Sequence, residues 1–96
     1  EAVAVGQTAV FEAAETFART EGILPAPESS HAIKAAIDEA LKCKETGETK
    51  TIVFGLTGTG YFDMLAYEKY HNGEMSDYFP TDDDLAKSFA ALPKVE

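Results

Sequence analysis

Two threonines alternate with two glycines in the middle of the chain, in the tetrad Thr57-Gly58-Thr59-Gly60. Glycine lets a backbone turn sharply and approach a ligand closely, and a threonine hydroxyl can hydrogen-bond that ligand. The spacing Gly55-x-x-Gly58-x-Gly60 is not the dinucleotide-binding fingerprint, and no lysine follows to make a phosphate loop. The tetrad therefore predicts either a ligand-binding turn or a tight turn that binds nothing, and spacing alone leaves both open.

A second candidate is the carboxylate of Glu28, which follows two closely spaced prolines and precedes a predicted helix. The positive end of a helix dipole favours a negative charge there. An acid at a helix start needs no catalytic role, so the sequence leaves both a catalytic and a purely structural role open for Glu28. His31 has no partner at metal-ligand spacing and is interpreted as a structural or solvent-facing side chain.

No other side chain forms a recognisable catalytic or metal pattern. Cys43 is predicted near the carboxyl end of a helix, where the dipole disfavours a thiolate, so we interpret it as a packing residue. The acidic run Asp82 to Asp84 lacks the spaced glycine and distal glutamate of a calcium loop, and it suits a helix start. We expect no metal site.

The elements that would position these residues follow from periodicity and punctuation. Residues 52–54 and 56 are apolar without polar alternation, which predicts that Thr51–Leu56 is a strand buried on both faces of a parallel sheet. Ala2–Val5 is predicted as a second, short strand.

Apolar residues at helical spacing predict four helices. The first covers about Ala9–Thr20 with Thr8 as N-cap, and the second starts at a cap on Ser29 or Ser30 and stops at Gly47. A third covers about Asp63–His71 before an Asn72-Gly73 turn, and a fourth starts at a capping box of Thr81 and Asp84 and ends before Pro93.

This order of elements is typical of an α/β fold with a few-stranded, mostly parallel sheet flanked by helices. Because two strands make a poor sheet on their own, we expect residues 1–96 to be a single unit that forms part of a larger doubly wound domain. The chain also opens at Glu1, inside an apolar run, which favours the same interpretation.

Composition excludes several classes of partner. Seventeen acidic and eight basic residues give a net charge of -9, which disfavours binding to nucleic acid or to an anionic membrane surface. No apolar run approaches the roughly 20 residues of a membrane span, and a single cysteine fits a reducing compartment. We expect a cytoplasmic location.

Two stretches together resemble a known family. Residues 19–32, RTEGILPAPESSHA, resemble the pattern R-x-E-G-I-x-P-A-x-E-S-x-H-A near the C-terminus of tryptophan synthase β chains. Residues 54–60, FGLTGTG, are similar to the N-L-S-G-x-G turn of that family, at the right distance. The ending, with an acidic helix and the residues ALPKV, is similar to the second, divergent group of β chains, called TrpB2.

The resemblance implies a pyridoxal-phosphate enzyme of fold type II that joins L-serine and indole to give L-tryptophan, with the intact enzyme as a homodimer. Thr57 corresponds to a family serine that hydrogen-bonds the pyridine nitrogen of the cofactor. Gly58 and Gly60 would let the backbone pass close to the ring, and Glu28 matches a glutamate beside the cofactor.

Two departures refine this expectation. Thr59 and Tyr61 stand where the main group has arginine and aspartate, which favours the divergent group and argues against partnership with an α subunit. The Schiff-base lysine and the phosphate-binding loop of the family lie upstream of the matching segment, so the 96 residues alone are expected to be inactive. The alternatives are a small α/β binding module without catalysis, or a related serine or threonine dehydratase or sulfhydrylase.

Overall fold

A computed structural model describes residues 2–93 as a helical structure. Its elements are α1 (Gln7–Glu21), α2 (Pro27–Thr46), a short 3₁₀ helix (Gly60–Asp63), α3 (Met64–His71) and α4 (Asp82–Ala90). All four helices predicted from the sequence are present, and the differences concern their ends and the strands.

Helices α1 and α2 pack against each other and supply most of the buried apolar side chains. Val10 and Phe11 come from α1 and Ile33 from α2, and each is almost completely buried. Burying an aliphatic or aromatic side chain of this size stabilises a fold by roughly 1.5–3 kcal/mol. The α1–α2 pair is therefore the main packed unit of the described residues.

Helix α3 packs on the same core through two aromatic rings. The Tyr67 ring meets Phe11 edge to face at a centroid distance of 5.0 Å, and Tyr70 stacks on Phe11 at 5.8 Å. Leu24, in the connection between α1 and α2, also packs against this cluster. Residues 60–71 are thereby held next to the start of α2.

Both predicted glycine stops are confirmed. Gly22 and Gly47 follow α1 and α2 with φ angles of 73° and 76°, and each donates its backbone N–H to the carbonyl four residues earlier. Side chains other than glycine rarely adopt this left-handed geometry, so these positions end the helices cleanly. The Thr81–Asp84 capping box at the start of α4 is confirmed as well.

The predicted N-caps of α1 and α2 are wrong. Helix α2 begins at Pro27, with Ala26 as its N-cap, because proline is well accommodated in a first turn, where its missing N–H would have no partner. Helix α1 begins at Gln7 rather than at Ala9. The Thr8 N–H and hydroxyl both donate to the carboxylate of Asp77, at 2.8 and 2.9 Å, so a residue 69 positions away takes the capping role.

Neither predicted strand forms within residues 2–93. Residues 2–5 and 51–56 carry no strand pairing, and the Val53 side chain is 87% exposed instead of buried on both faces. Ile52 and Phe54 are half-buried while Thr51, Val53 and Gly55 are exposed, which is the alternation of a strand lying on a layer of helices. A sheet needs hydrogen-bonding neighbours, and these residues have none in the part of the chain that the structure describes.

Among the described helices, none is both long enough and apolar enough to cross a membrane.

Candidate functional site

The tetrad Thr57 to Gly60 lies against the connection between α1 and α2 and the first turn of α2. The Gly60 N–H donates to the Leu24 carbonyl at 3.0 Å, and Gly60 is buried. Ser29, the third residue of α2, contacts Thr57 at the other end of the tetrad. The two stretches that carry the family resemblance are thus in direct contact, although Ser29 and Thr57 lie 28 positions apart in the sequence.

Three contacts within 3.0 Å join Ser29 and Thr57. The Ser29 hydroxyl donates to the Thr57 carbonyl at 2.6 Å and accepts from the Thr57 N–H at 3.0 Å. The two side-chain oxygens, Ser29 Oγ and Thr57 Oγ1, are also 3.0 Å apart. Ser29 is only 5% exposed, whereas Thr57 is exposed. A buried group therefore fixes an accessible hydroxyl in place.

The glycines of the tetrad are explained by close packing inside the chain. A Cβ atom on Gly60 would lie 2.5 Å from the Pro25 carbonyl oxygen and 2.7 Å from Leu24 Cγ. Gly58 has a φ of 68°, and a Cβ atom there would lie 3.3 Å from that of Ala26. The predicted role of both glycines next to a cofactor ring stays a prediction, because this packing alone accounts for them.

Thr59 has a local task. Its side-chain oxygen accepts a hydrogen bond from the Tyr61 N–H at 3.3 Å and so caps the 3₁₀ helix. Of the two threonine hydroxyls in the tetrad, Thr59 therefore acts on its own backbone. Thr57 is the one that remains to meet a ligand.

A buried tyrosine supports the backbone beneath the tetrad. The Tyr67 hydroxyl donates to the Pro25 carbonyl at 2.6 Å, and the Ser30 hydroxyl donates to the Ala26 carbonyl at 2.8 Å. Burial raises the pKa of Tyr67, so the phenol stays protonated and remains a donor. These bonds hold residues 25 and 26 in the positions against which the glycines pack.

Glu28 lies in the first turn of α2, next to Ser29, and is exposed. Within residues 2–93 it forms no hydrogen bond or ion pair with another side chain. With His31 and Tyr78 it lines an open cleft of about 400 Å³. The carboxylate is therefore next in sequence to the tetrad's buried anchor and free to meet another group.

Cys43 and the second histidine of the chain, His71, have ordinary surroundings. Cys43 is half-buried in α2, as a packing residue should be. His71 Nε2 lies 2.5 Å from Glu15 Oε1, which links α3 to α1. Among the described residues, no group of acidic, histidine or cysteine side chains is arranged to hold a metal ion.

Sequence reasoning missed the two side chains that build the site from within. Ser29 was interpreted as a possible helix cap but instead bonds to the Thr57 backbone, and Tyr67, for which the sequence indicated no site role, bonds to the Pro25 carbonyl. The close spacing of polar Ser29 and Ser30 before an amphipathic helix was the only available signal. It could not reveal a partner 28 residues away.

Comparison with known proteins identifies relatives of this chain. The chain is 74% identical over 77 residues to tryptophan synthase beta chain 2 of Aquifex aeolicus, a match covering 80% of this chain and 18% of that protein. It is 65% identical over 75 residues to tryptophan synthase beta chain 2 of Methanosarcina acetivorans, covering 78% and 17%. It is 58% identical over 78 residues to the tryptophan synthase beta chain of Thermococcus onnurineus, covering 81% and 18%.

The chain is therefore homologous to one segment of tryptophan synthase β chains, and the resemblance seen in its sequence is confirmed. Two of these three relatives are named beta chain 2, which agrees with the divergent group to which the sequence pointed. The chain spans less than a fifth of the length of these relatives. No protein-family model matches it.

Proposed function

We propose that these residues are the C-terminal part of the catalytic domain of a tryptophan synthase β-like enzyme, which joins L-serine and indole to give L-tryptophan with pyridoxal phosphate. The observation that supports this most strongly is the contact between the two resembling stretches, in which buried Ser29 holds exposed Thr57. A neutral hydroxyl in a fixed position suits the cofactor site of a β-replacement enzyme, and this contact supports that role for Thr57.

The residues present fit the pyridine-nitrogen side of such a cofactor. Thr57 offers an exposed, uncharged hydroxyl on an anchored backbone. When bound, pyridoxal phosphate supplies the electron sink for exchange of the serine hydroxyl for indole. A neutral hydroxyl at the ring nitrogen, unlike a carboxylate, does not hold that nitrogen protonated, which suits replacement better than transamination.

Glu28 is proposed as the catalytic carboxylate and Gly58 and Gly60 as the backbone that lies close to the cofactor. The exposure of Glu28 and its position next to Ser29 support this assignment. The Schiff-base lysine would come from another part of the intact enzyme. In that enzyme we assign no α-subunit contact to this segment, and we propose a homodimer in the cytoplasm.

We further propose that residues 51–56 form a strand in the intact protein. Their alternating exposure and the T-shaped contact between Phe54 and Phe17, at 6.0 Å, already fit one face of a strand on helices. The exposed Val53 face would be covered once neighbouring strands are present. The few-stranded, mostly parallel sheet predicted from the sequence would then form only in the whole domain.

The role of Thr57 is tested in the intact protein by comparing Thr57→Val with Thr57→Ser. Valine keeps the shape of threonine without its hydroxyl, and serine keeps the hydroxyl. We expect Thr57→Val to shift the absorption spectrum of bound pyridoxal phosphate and to lower tryptophan formation at least about tenfold, as for loss of a hydrogen bond to a reacting group. Thr57→Ser should stay close to the parent protein.

A parent-like spectrum and rate in Thr57→Val would refute the pyridine-nitrogen role. An intact protein that binds pyridoxal phosphate and deaminates serine, but forms no tryptophan from serine and indole, would favour a dehydratase. An intact protein that binds no pyridoxal phosphate would favour the non-catalytic binding module.

A further inference from the structure

The geometry points to Ser29 as a positioning residue that fixes the Thr57 hydroxyl for its contact with the cofactor ring nitrogen. This inference rests on the proposed role of Thr57 and extends it to a buried residue that touches no ligand. The contacts that carry it are the donation from Ser29 to the Thr57 carbonyl at 2.6 Å, the donation from the Thr57 N–H at 3.0 Å, and the 3.0 Å approach of the two hydroxyl oxygens.

The hydrogens available to these groups decide what Thr57 can offer. Ser29 has a single hydroxyl hydrogen, and the Thr57 carbonyl is its nearer acceptor. With that hydrogen engaged, the Thr57 hydroxyl can direct its own hydrogen either back to Ser29 Oγ or outward. Directed outward, it donates to an unprotonated ring nitrogen. Ser29 thus fixes the Thr57 backbone through two hydrogen bonds, and with it the position of Oγ1, while the Thr57 hydroxyl hydrogen stays available.

Without Ser29, little else restrains this end of the tetrad. Within the described residues, the backbone of Thr57 forms its hydrogen bonds with Ser29 alone, and the next anchor is the bond from the Gly60 N–H to Leu24. Gly58, with its left-handed backbone, lies between the two anchors. Loss of the Ser29 hydroxyl should therefore free the Thr57 backbone and side chain together.

The neighbouring serine provides a matched control. Ser30 is also buried, but its hydroxyl donates to the Ala26 carbonyl within the first turn of α2 and does not contact Thr57. Ser29→Ala and Ser30→Ala therefore remove the same atom from adjacent buried positions. A general effect of cutting a buried serine appears in both variants, and a positioning effect appears only in Ser29→Ala.

The test uses the intact protein and two readouts. In the cofactor-free protein, Ser29→Ala should make hydrogen exchange of the Thr57 amide about fivefold to tenfold faster, as expected for loss of one hydrogen bond. Ser30→Ala keeps both hydrogen bonds to Thr57 and loosens only the support of Ala26, so it should change this exchange less than about twofold. With pyridoxal phosphate bound, Ser29→Ala should shift the cofactor absorption in the same direction as Thr57→Val. In Ser29→Ala/Thr57→Val the second change should add nothing, because coupled residues are not additive.

The outcomes separate this inference from the function on which it rests. A shift in Thr57→Val with none in Ser29→Ala, or a Ser29→Ala shift that adds in full to that of Thr57→Val, would overturn the positioning role and leave the function of Thr57 intact. No shift in Thr57→Val would overturn both. If Ser29→Ala does not fold, Ser29→Cys fills a similar space with a weak hydrogen-bonding group and serves the same cycle.

Discussion

Single atoms decide how the tetrad can be built. Thr57 is held by a hydroxyl, Gly60 is pressed against a carbonyl, and Thr59 caps the next turn. For each of these three residues, a contact within the chain explains why that residue type is present. Unlike Thr57, Glu28 has an exposed side chain with no hydrogen bond or ion pair to another side chain among residues 2–93, so we expect its role to depend on the rest of the enzyme.

Glu28→Gln in the intact protein should slow tryptophan formation at least about tenfold while leaving the affinity for pyridoxal phosphate nearly unchanged. The amide keeps the shape of the carboxylate but can neither carry a negative charge nor take up a proton. Steady-state rates and a cofactor titration measure the two effects. Glu45→Gln, at an exposed position near the end of α2, is the control and should change neither. Parent-like rates for both variants would show that Glu28 has no catalytic role and serves only as an acid at a helix start.

Gly60→Ala should destabilise the chain by about 1–3 kcal/mol, the usual cost of forcing an extra group into a packed site. The new methyl group would meet the Pro25 carbonyl oxygen and the Leu24 side chain. Gly55→Ala is the matched control, because nothing lies within 4 Å of a Cβ at that position. Urea unfolding of the three proteins measures the difference. Equal stabilities would show that the Gly60 packing is not as close as described.

Helices in this chain were predictable because their signals are local. The stripes of α1 and α2, the glycines that end them and the capping box of α4 all lie within a few residues of the structure that they specify. The strands could not be predicted in the same way, because a strand depends on neighbouring strands that are often remote in sequence. Residues 51–56 have the composition of a strand, but residues 2–93 do not pair with them.

In the candidate site too, local features were predictable from the sequence and long-range contacts were not. Thr57 and Glu28 were candidates from the sequence itself and received their proposed roles from the resemblance, and both are exposed in the structure. The anchors of the site join Ser29 to Thr57 and Tyr67 to Pro25, across 28 and 42 residues, and Asp77 caps α1 across 69. Periodicity and spacing carry no information about such pairs.

The hydrogen bond from Tyr67 to Pro25 predicts sensitivity to alkali. Burial raises the pKa of Tyr67 above the ordinary tyrosine value of about 10, so above that pH the folded chain binds more protons than the unfolded one. The stability that this group contributes is complete below pH 10 or so and is lost as pH rises through the folded pKa. Tyr70, whose pKa burial also raises, adds to the same trend.

Tyr67→Phe should lower the free energy of unfolding at pH 7 by about 1–3 kcal/mol, because it leaves the Pro25 carbonyl without its partner. It should also weaken the fall in stability above pH 10. Tyr61→Phe, at an exposed ring, is the control. Unfolding curves between pH 7 and 11 measure both effects. An alkaline fall as steep in Tyr67→Phe as in the parent chain would contradict the assignment.

The molecule as a whole exposes many large apolar side chains around a small core. Val53 is 87% exposed and Phe62 85%, and the side chains of Tyr61, Leu65 and Phe89 are also exposed. Many large apolar side chains on one surface indicate that another polypeptide covers it. We expect the rest of the intact protein to cover them, and we expect the 96 residues alone to bind no pyridoxal phosphate.

The isolated chain should therefore associate with itself, despite its net charge of -9, through the unpaired edge of residues 51–56. Val53→Lys should reduce this association because it places a charge on the exposed face of that edge. Thr51→Lys adds the same charge without removing an apolar side chain and is the control. Sedimentation velocity measures the effect, and a monodisperse monomer of the parent chain would contradict it.

The most direct test of the central claim is a crystal structure of the intact protein with pyridoxal phosphate bound. We predict that Thr57 Oγ1 lies within hydrogen-bonding distance, about 2.7–3.2 Å, of the ring nitrogen and that Ser29 still holds the Thr57 backbone. A ring nitrogen that faces a different side chain, or a cofactor bound away from the tetrad, would contradict the account.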